Sequence, residues 1–260
     1  MQQLIELQRV DDHGLCGRKR FHPVARVEAV TEGGAAALLT PVGIAEFKER
    51  YLEREVLHVT RDRPGYFSGV YGVGDVEAAL HQSGREPDRF ALVQSGMPRL
   101  DPEQYTIERP SVRWQWKKDH RSAIVIDPRR VGAWIHQGYS LVISDASLFS
   151  LRLQRWCNAL QRELGAVVQA NVYLSPPQSQ GFDVHHDTHD TLTIQIEGEK
   201  RWRIYAPLVD LPLESQPFPV GRTSSTLRMT HEVTLRPGDT LYIPRGCPHD
   251  AARTASGRST

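Results

Sequence analysis

From residue 166 onward, apolar and polar residues alternate with period two. Val168, Ala170, Val172 and Leu174 alternate with Gln169, Asn171 and Tyr173, and Leu192, Ile194 and Ile196 alternate with Thr191, Thr193 and Gln195. Such a period sends neighbours to opposite faces of a strand, so two half-buried strands are predicted. Glu197-Gly198-Glu199 predicts a tight hairpin turn, with Lys200, Trp202 and Ile204 on one face of the next strand. Val233 and Leu235 then lead through Pro237-Gly238-Asp239 to Leu241, Tyr242 and Ile243. Before residue 166 the period is helical. The strongest helix spans 147–164, with Leu153, Trp156, Cys157, Leu160 and Leu164 on one stripe and Gly165 as its stop. Further helices are predicted with Thr40 as N-cap and Pro41 in the first turn, from Asp75 as N-cap to near Gly84, and from Asp127-Pro128 to Gly138. The residues before Thr40 read as an arm without a clear period.

Short strands separated by turn residues, preceded by helices, predict an antiparallel sandwich or barrel with a helical N-terminal layer. Composition agrees: 260 residues with 39% hydrophobic and 24% charged fit a globular chain and exclude wholesale disorder or a fibrous repeat. No apolar run approaches the roughly 18–20 residues of a membrane span. The opening MQQLIELQRVDDHG lacks the basic and apolar regions of a secretory signal. Thirty-two basic against 31 acidic residues give +1, so no whole-chain electrostatic case exists for nucleic acid or an anionic membrane. Cys16, Cys157 and Cys247 are scattered without metal spacing, which points to a reducing compartment, most simply the cytoplasm.

The histidines are unevenly placed. Of eleven, three fall in the run His185-His186-Asp187-Thr188-His189. Residues two apart on a strand share a side, so His185 and Asp187 can converge on one ion. His249, after the 241–244 segment, is the candidate third ligand. Two histidines and a carboxylate on one face leave the other face open, the arrangement of non-haem Fe(II) oxygenases. The competing reading is a set of polar loop residues bonded to one another. Lys200 sharpens the choice, because a buried ammonium needs an anionic partner. A dicarboxylate such as 2-oxoglutarate supplies one, with Tyr173 and Asn171 adding hydrogen bonds; alternatively Lys200 is a solvated hairpin lysine. His186 is expected to point away from its neighbours. His189 and Asp190 either orient substrate or stabilise the loop, and His120, His136 and His231 read as structural or solvated. The basic stretch 117–121 behind Trp114 and Trp116 reads as a solvated face rather than a docking patch.

Four segments together resemble the JmjC-type cupin oxygenases, and within them the ribosomal oxygenases: NVYLSPPQSQGF from Asn171, HHDTHD from His185, QIEGEKRW from Gln195 and PGDTLYIPRGCPH from Pro237. FKERYLEREVLHV from Phe47 and GYFSG from Gly65 are similar to the start of that family, so the resemblance covers residues 40–260. It implies a double-stranded β-helix (the jelly-roll of cupin and JmjC proteins), Fe(II) held by His185, Asp187 and His249, and 2-oxoglutarate bound through Lys200 with Tyr173 and Asn171. The implied reaction is hydroxylation of a protein or peptide side chain, with release of succinate and carbon dioxide. The implied partner is a protein or peptide substrate, a ribosomal protein among the candidates. A homodimer is among the assemblies considered; no membrane and no direct nucleic-acid partner are expected. The rival readings are a non-oxidative metal-binding cupin, as isomerase or hydrolase, and a catalytically silent binding module.

The expected organisation is an arm over 1–39, a helical and β segment over 40–165, and the β-helix core over 166–260. Relatives are expected to continue into a final barrel strand, a helical dimerisation region and a winged-helix domain, none of which is legible before Thr260. An edge left open there predicts that part of residues 1–30, or another molecule, pairs with it.

Overall fold

The computed structural model describes residues 2–10, 34–110, 122–177, 179–219 and 221–252. The basic stretch 117–121 with Trp114 and Trp116, His120, Cys16 and the chain end at Thr260 lie outside the described residues.

In chain order the elements are β1 (Gln2–Val10), α1 (Ala35–Leu39), α2 (Ile44–Glu46), β2 (Leu57–Val59), α3 (Val73–Gln82), β3 (Phe90–Val93), β4 (Thr106–Pro110), β5 (Ser122–Ile126), α4 (Pro128–His136), β6 (Ser140–Ile143), α5 (Leu151–Leu164), β7 (Val167–Ser175), β8 (Asp190–Glu197), β9 (Lys200–Tyr205), β10 (Met229–Leu235), β11 (Thr240–Ile243) and β12 (His249–Ala252). A seven-stranded sheet runs β2-β11-β8-β1-β7-β6-β3, a three-stranded sheet runs β10-β9-β12, and β4 pairs with β5.

The large sheet has two different faces. Val168, Ala170, Val172, Leu174, Leu192, Ile194, Ile196 and Tyr242 pack with α5 and the N-terminal helices in one apolar core. Leu241 and Ile243 point the other way and join Trp202, Ile204, Val233 and Leu235 between the two sheets. Burying each large apolar side chain contributes roughly 1.5–3 kcal/mol. The α5 stripe is buried as its periodicity predicts, with Ser150 capping through the Leu153 N–H and Gly165 closing the helix at φ 72°. Cys157 sits in that stripe, where burial pushes its thiol up to about 12, and it serves as packing.

Several boundaries differ from expectation. Thr40 ends α1, with its N–H bonded to the Ala36 carbonyl, and the Ile44, Phe47 and Tyr51 stripe belongs to α2 and the π-helical turn Phe47–Tyr51 that follows. Asp75 is not an N-cap: it lies inside the first turn of α3 and its carboxylate accepts the Gly72 N–H at 2.9 Å. The turn at Gly198 does not close a ladder, because β8 lies in the large sheet while β9 pairs with β10 and β12. The residues read as an arm contribute β1, antiparallel to both β7 and β8. It lies inside the sheet rather than along an outer edge.

Candidate metal centre

His185 and Asp187 lie just before β8, and His249 opens β12. The two segments meet through a pair of backbone bonds: His249 N–H donates to the His185 carbonyl at 2.7 Å, and His185 N–H donates to the His249 carbonyl at 3.2 Å. The loop before His249 is tied to the same place. Gly246 N–H donates to the Asp187 carbonyl at 2.9 Å. Gly246 adopts φ 82°, and a Cβ there would lie 2.5 Å from Pro212 Cδ, so only glycine makes this approach without strain.

One ligand atom from each of His185, Asp187 and His249 falls within 4.8 Å of the others. His185 Nε2 lies 3.8 Å from Asp187 Oδ1, and His249 Nε2 lies 3.4 Å from Asp187 Oδ2. Burial is graded: His249 is buried, while the His185 side chain is 37% exposed at the mouth.

The proton inventory decides what this cluster can hold. His185 Nδ1 lies 2.8 Å from the Asp183 carbonyl oxygen, and His249 Nδ1 lies 3.0 Å from the Cys247 carbonyl oxygen. A carbonyl only accepts, so each Nδ1 carries the ring proton, and in the neutral ring Nε2 presents a lone pair. Burial, reinforced by the neighbouring His185, lowers His249 to about 4, which keeps that ring neutral near pH 7. Burial alone would raise Asp187, but the charges of His249 and then His185, when those rings are protonated, outweigh it and hold the carboxyl below its usual range. With both Nδ1 protons turned outward to carbonyls, both Nε2 atoms face the Asp187 carboxylate. These two nitrogens and the carboxylate converge on one point, and the nitrogen–oxygen donor set suits a divalent first-row ion.

A cavity of about 280 Å³ opens on the cluster, lined by Tyr173, Phe182, Lys200 and Trp202 beside the three residues. Lys200 is 7% exposed, inside the cavity wall rather than on a solvated hairpin. Asn171 does not join it. It lines an adjoining cavity of about 390 Å³, and its Oδ1 accepts the N–H of Asp145, a residue held at φ 51°. Tyr173, Gly181 and Phe182 belong to both cavities and join them.

His186 turns away, its Nε2 3.1 Å from the Gln216 carbonyl and its ring against Phe218. His231 contacts Thr230 on β10, and His136 ends α4 on the surface. Sequence reasoning missed the carbonyls of Asp183 and Cys247. Both lie two residues before the histidine they orient, a spacing that carries no side-chain signature.

Comparison with known proteins adds descent to this geometry. Residues 144–259 match the JmjC domain family. The chain is 33% identical over 218 residues to the bifunctional lysine-specific demethylase and histidyl-hydroxylase NO66 of Drosophila persimilis, covering 83% of this chain and 29% of that protein. It is 30% identical over 222 residues to human ribosomal oxygenase 1, covering 82% of this chain and 31% of that protein. It thus spans about a third of the length of these relatives. The solved structure of Escherichia coli YcfD is 20% identical, with TM-score 0.50, over 82% of this chain and 50% of that one, a likeness of fold. Residues 144–259 thus carry a JmjC domain, and ribosomal oxygenases are among the chain's relatives.

Proposed function

We propose that the protein is an Fe(II)- and 2-oxoglutarate-dependent oxygenase that hydroxylates a protein or peptide side chain, releasing succinate and carbon dioxide. The two facing sheets are on this reading a double-stranded β-helix with the metal centre between them. His185, Asp187 and His249 hold the iron, and Lys200 with Tyr173 receives the distal carboxylate of 2-oxoglutarate. The observation that carries the reading is the pairing of two oriented Nε2 lone pairs and a carboxylate with a buried lysine in one cavity.

Bound iron and 2-oxoglutarate together supply the oxidising power for a C–H bond; the chain does the rest. The Asp183 and Cys247 carbonyls keep each ring proton at Nδ1 and each Nε2 aimed at the ion. Lys200 provides the charge-assisted contact that selects a dicarboxylate. Trp202, its ring 5.7 Å from that of His249, walls the buried side of the cavity against water. Phe182, 42% exposed, sits at the mouth where a side chain enters. A buried lysine in the cavity favours the oxygenase over a non-oxidative cupin, which has no use for a dicarboxylate contact.

The partner is a protein or peptide substrate, for which ribosomal proteins are the first candidates given the names of the relatives. The setting is the cytoplasm, and no helix among the described residues is long and apolar enough to cross a membrane. The test is anaerobic loading with Fe(II) and 2-oxoglutarate, followed by oxygen and a panel of ribosomal-protein peptides. Succinate release coupled to a peptide mass gain of one oxygen atom is expected. Absence of 2-oxoglutarate turnover with every metal and peptide tried would overturn the reading.

A further inference from the structure

Asp190 lies three residues past Asp187 and is almost wholly buried, yet its carboxylate does not line the metal cavity. It faces the segment that carries the third ligand instead. Asp190 Oδ1 accepts the Tyr242 hydroxyl at 2.7 Å and the Arg245 N–H at 3.2 Å. Tyr242 in turn accepts the N–H of Glu53 at 2.8 Å, and Arg245 Nη2 meets Glu53 Oε1 at 3.1 Å. Glu53 holds φ 56°, a left-handed conformation that a residue with a side chain keeps only where its surroundings enforce it. The Tyr242 ring is locked edge-on against Phe47 at 4.9 Å.

We propose that Asp190 is a positioning residue that clamps the 185–190 segment to the 242–249 segment, and so fixes the spacing between Asp187 and His249. The two ligand segments are far apart in the chain and meet here through backbone bonds, which hold the strands together but tolerate sliding. Asp190 adds a side-chain bond at each of two points, Tyr242 on β11 and Arg245 in the loop that delivers His249. Glu53 sets the far end of the clamp by engaging those same two residues. A buried carboxylate accepting two donors is strong, and it is costly to leave those donors without it. The clamp therefore acts on metal geometry without touching the metal or the substrate.

This inference rests on the metal-centre reading, and Co(II) alone separates the two. Titration of the metal-free protein with Co(II), followed by its visible absorption spectrum, reports both affinity and ligand geometry. Asp190→Ala should weaken Co(II) binding roughly tenfold or more and change the spectrum, as loss of an orienting partner does at metal sites. Asp190→Asn keeps a carbonyl acceptor and should restore a spectrum close to that of the native protein. Leu160→Ala, in the α5 core away from the site, should lower the melting temperature without altering the spectrum. If Asp190→Ala fails to fold, Tyr242→Phe carries the test, since it keeps the ring and removes one arm of the clamp. Native affinity and spectrum in the variant overturn the clamp, as does a spectral change in Leu160→Ala equal to that in the Asp190 variant. A native protein that binds no Co(II) overturns the metal-centre reading and the clamp with it.

Discussion

Along β8 both faces of the seven-stranded sheet are buried, but in different kinds of side chain. On β8, Ile194 is 0% exposed among the helices, while Thr193 and Gln195, which alternate with it, are also 0% exposed on the side of the smaller sheet. Burial alone does not distinguish a core from a site. What differs along β8 is the type of atom buried: hydrocarbon toward the helices; hydroxyl and amide toward the smaller sheet, beside the Leu241, Ile243 and Trp202 cluster. Buried polar atoms cost stability unless they are paired, so the second face spends part of what the first contributes. The largest expected effects come from breaking this division on the apolar side.

Ile194→Ala should cost about 2–5 kcal/mol, because it deletes methyl groups from a packed core and leaves a cavity. Urea unfolding of the metal-free protein checks it. Variants of the metal ligands should do the reverse, abolishing metal binding with little loss of stability. If Ile194→Ala were tolerated within about 0.5 kcal/mol, the apolar face would not be the source of stability.

The strands that carry this division were legible because each is its own record. Val168 to Leu174 and Thr191 to Ile196 alternate regardless of what they pair with, and His185, Asp187 and Lys200 sit within two strand lengths of one another. The elements that were misread depend on distant partners. Nothing in Gln2–Val10 announces pairing with strands more than a hundred residues away, and the turn at Gly198 looks the same whether it closes a ladder or crosses between sheets. Asn171 lines the adjoining cavity for a geometric reason. Period two gives the face of a strand but not the position along it, and two residues span roughly 7 Å, enough to pass from one cavity to the next.

The pH dependence sharpens the contrast from the polar side. His249 is lowered by burial to about 4, against about 6.5 in an unfolded chain. Between those values the unfolded state binds the proton that the folded state refuses, so stability rises with pH there. The metal-free protein should lose up to about 3 kcal/mol as pH falls from about 6.5 to about 4. Denaturant unfolding across that window measures the slope, and His249→Asn should flatten it. An equal slope in the variant would assign the loss to other groups.

Lys200→Ala tests the buried lysine in the cavity wall across from that face. It should weaken 2-oxoglutarate by roughly 1.5–3 kcal/mol, the worth of a hydrogen bond to a charged group, while leaving Co(II) affinity in place. Calorimetric titration of the Co(II)-loaded protein reads the first quantity, and metal competition reads the second. Equal loss of both would make Lys200 a structural residue of the cavity wall.

The smallest effect asks whether every polar atom on that face serves the chemistry. The Thr193 hydroxyl is fully buried with no hydrogen-bond partner among the described residues, and Thr193 does not line the metal cavity. Valine has the same shape without the hydroxyl, so Thr193→Val removes an unsatisfied buried group without opening a cavity. The expected result is a gain of about 1 kcal/mol in stability, with Co(II) and 2-oxoglutarate affinities unchanged. If stability rose but 2-oxoglutarate affinity fell, the hydroxyl would belong to the ligand's surroundings, and the polar face would be functional down to its last atom. If stability fell, an ordered water must pair the hydroxyl, since an isolated one has no bond to lose. The expected outcome instead divides the buried polar groups in two. On the proposed function Lys200 and the three clustered residues serve the chemistry, and Thr193 is a polar residue that the strand's alternation tolerates.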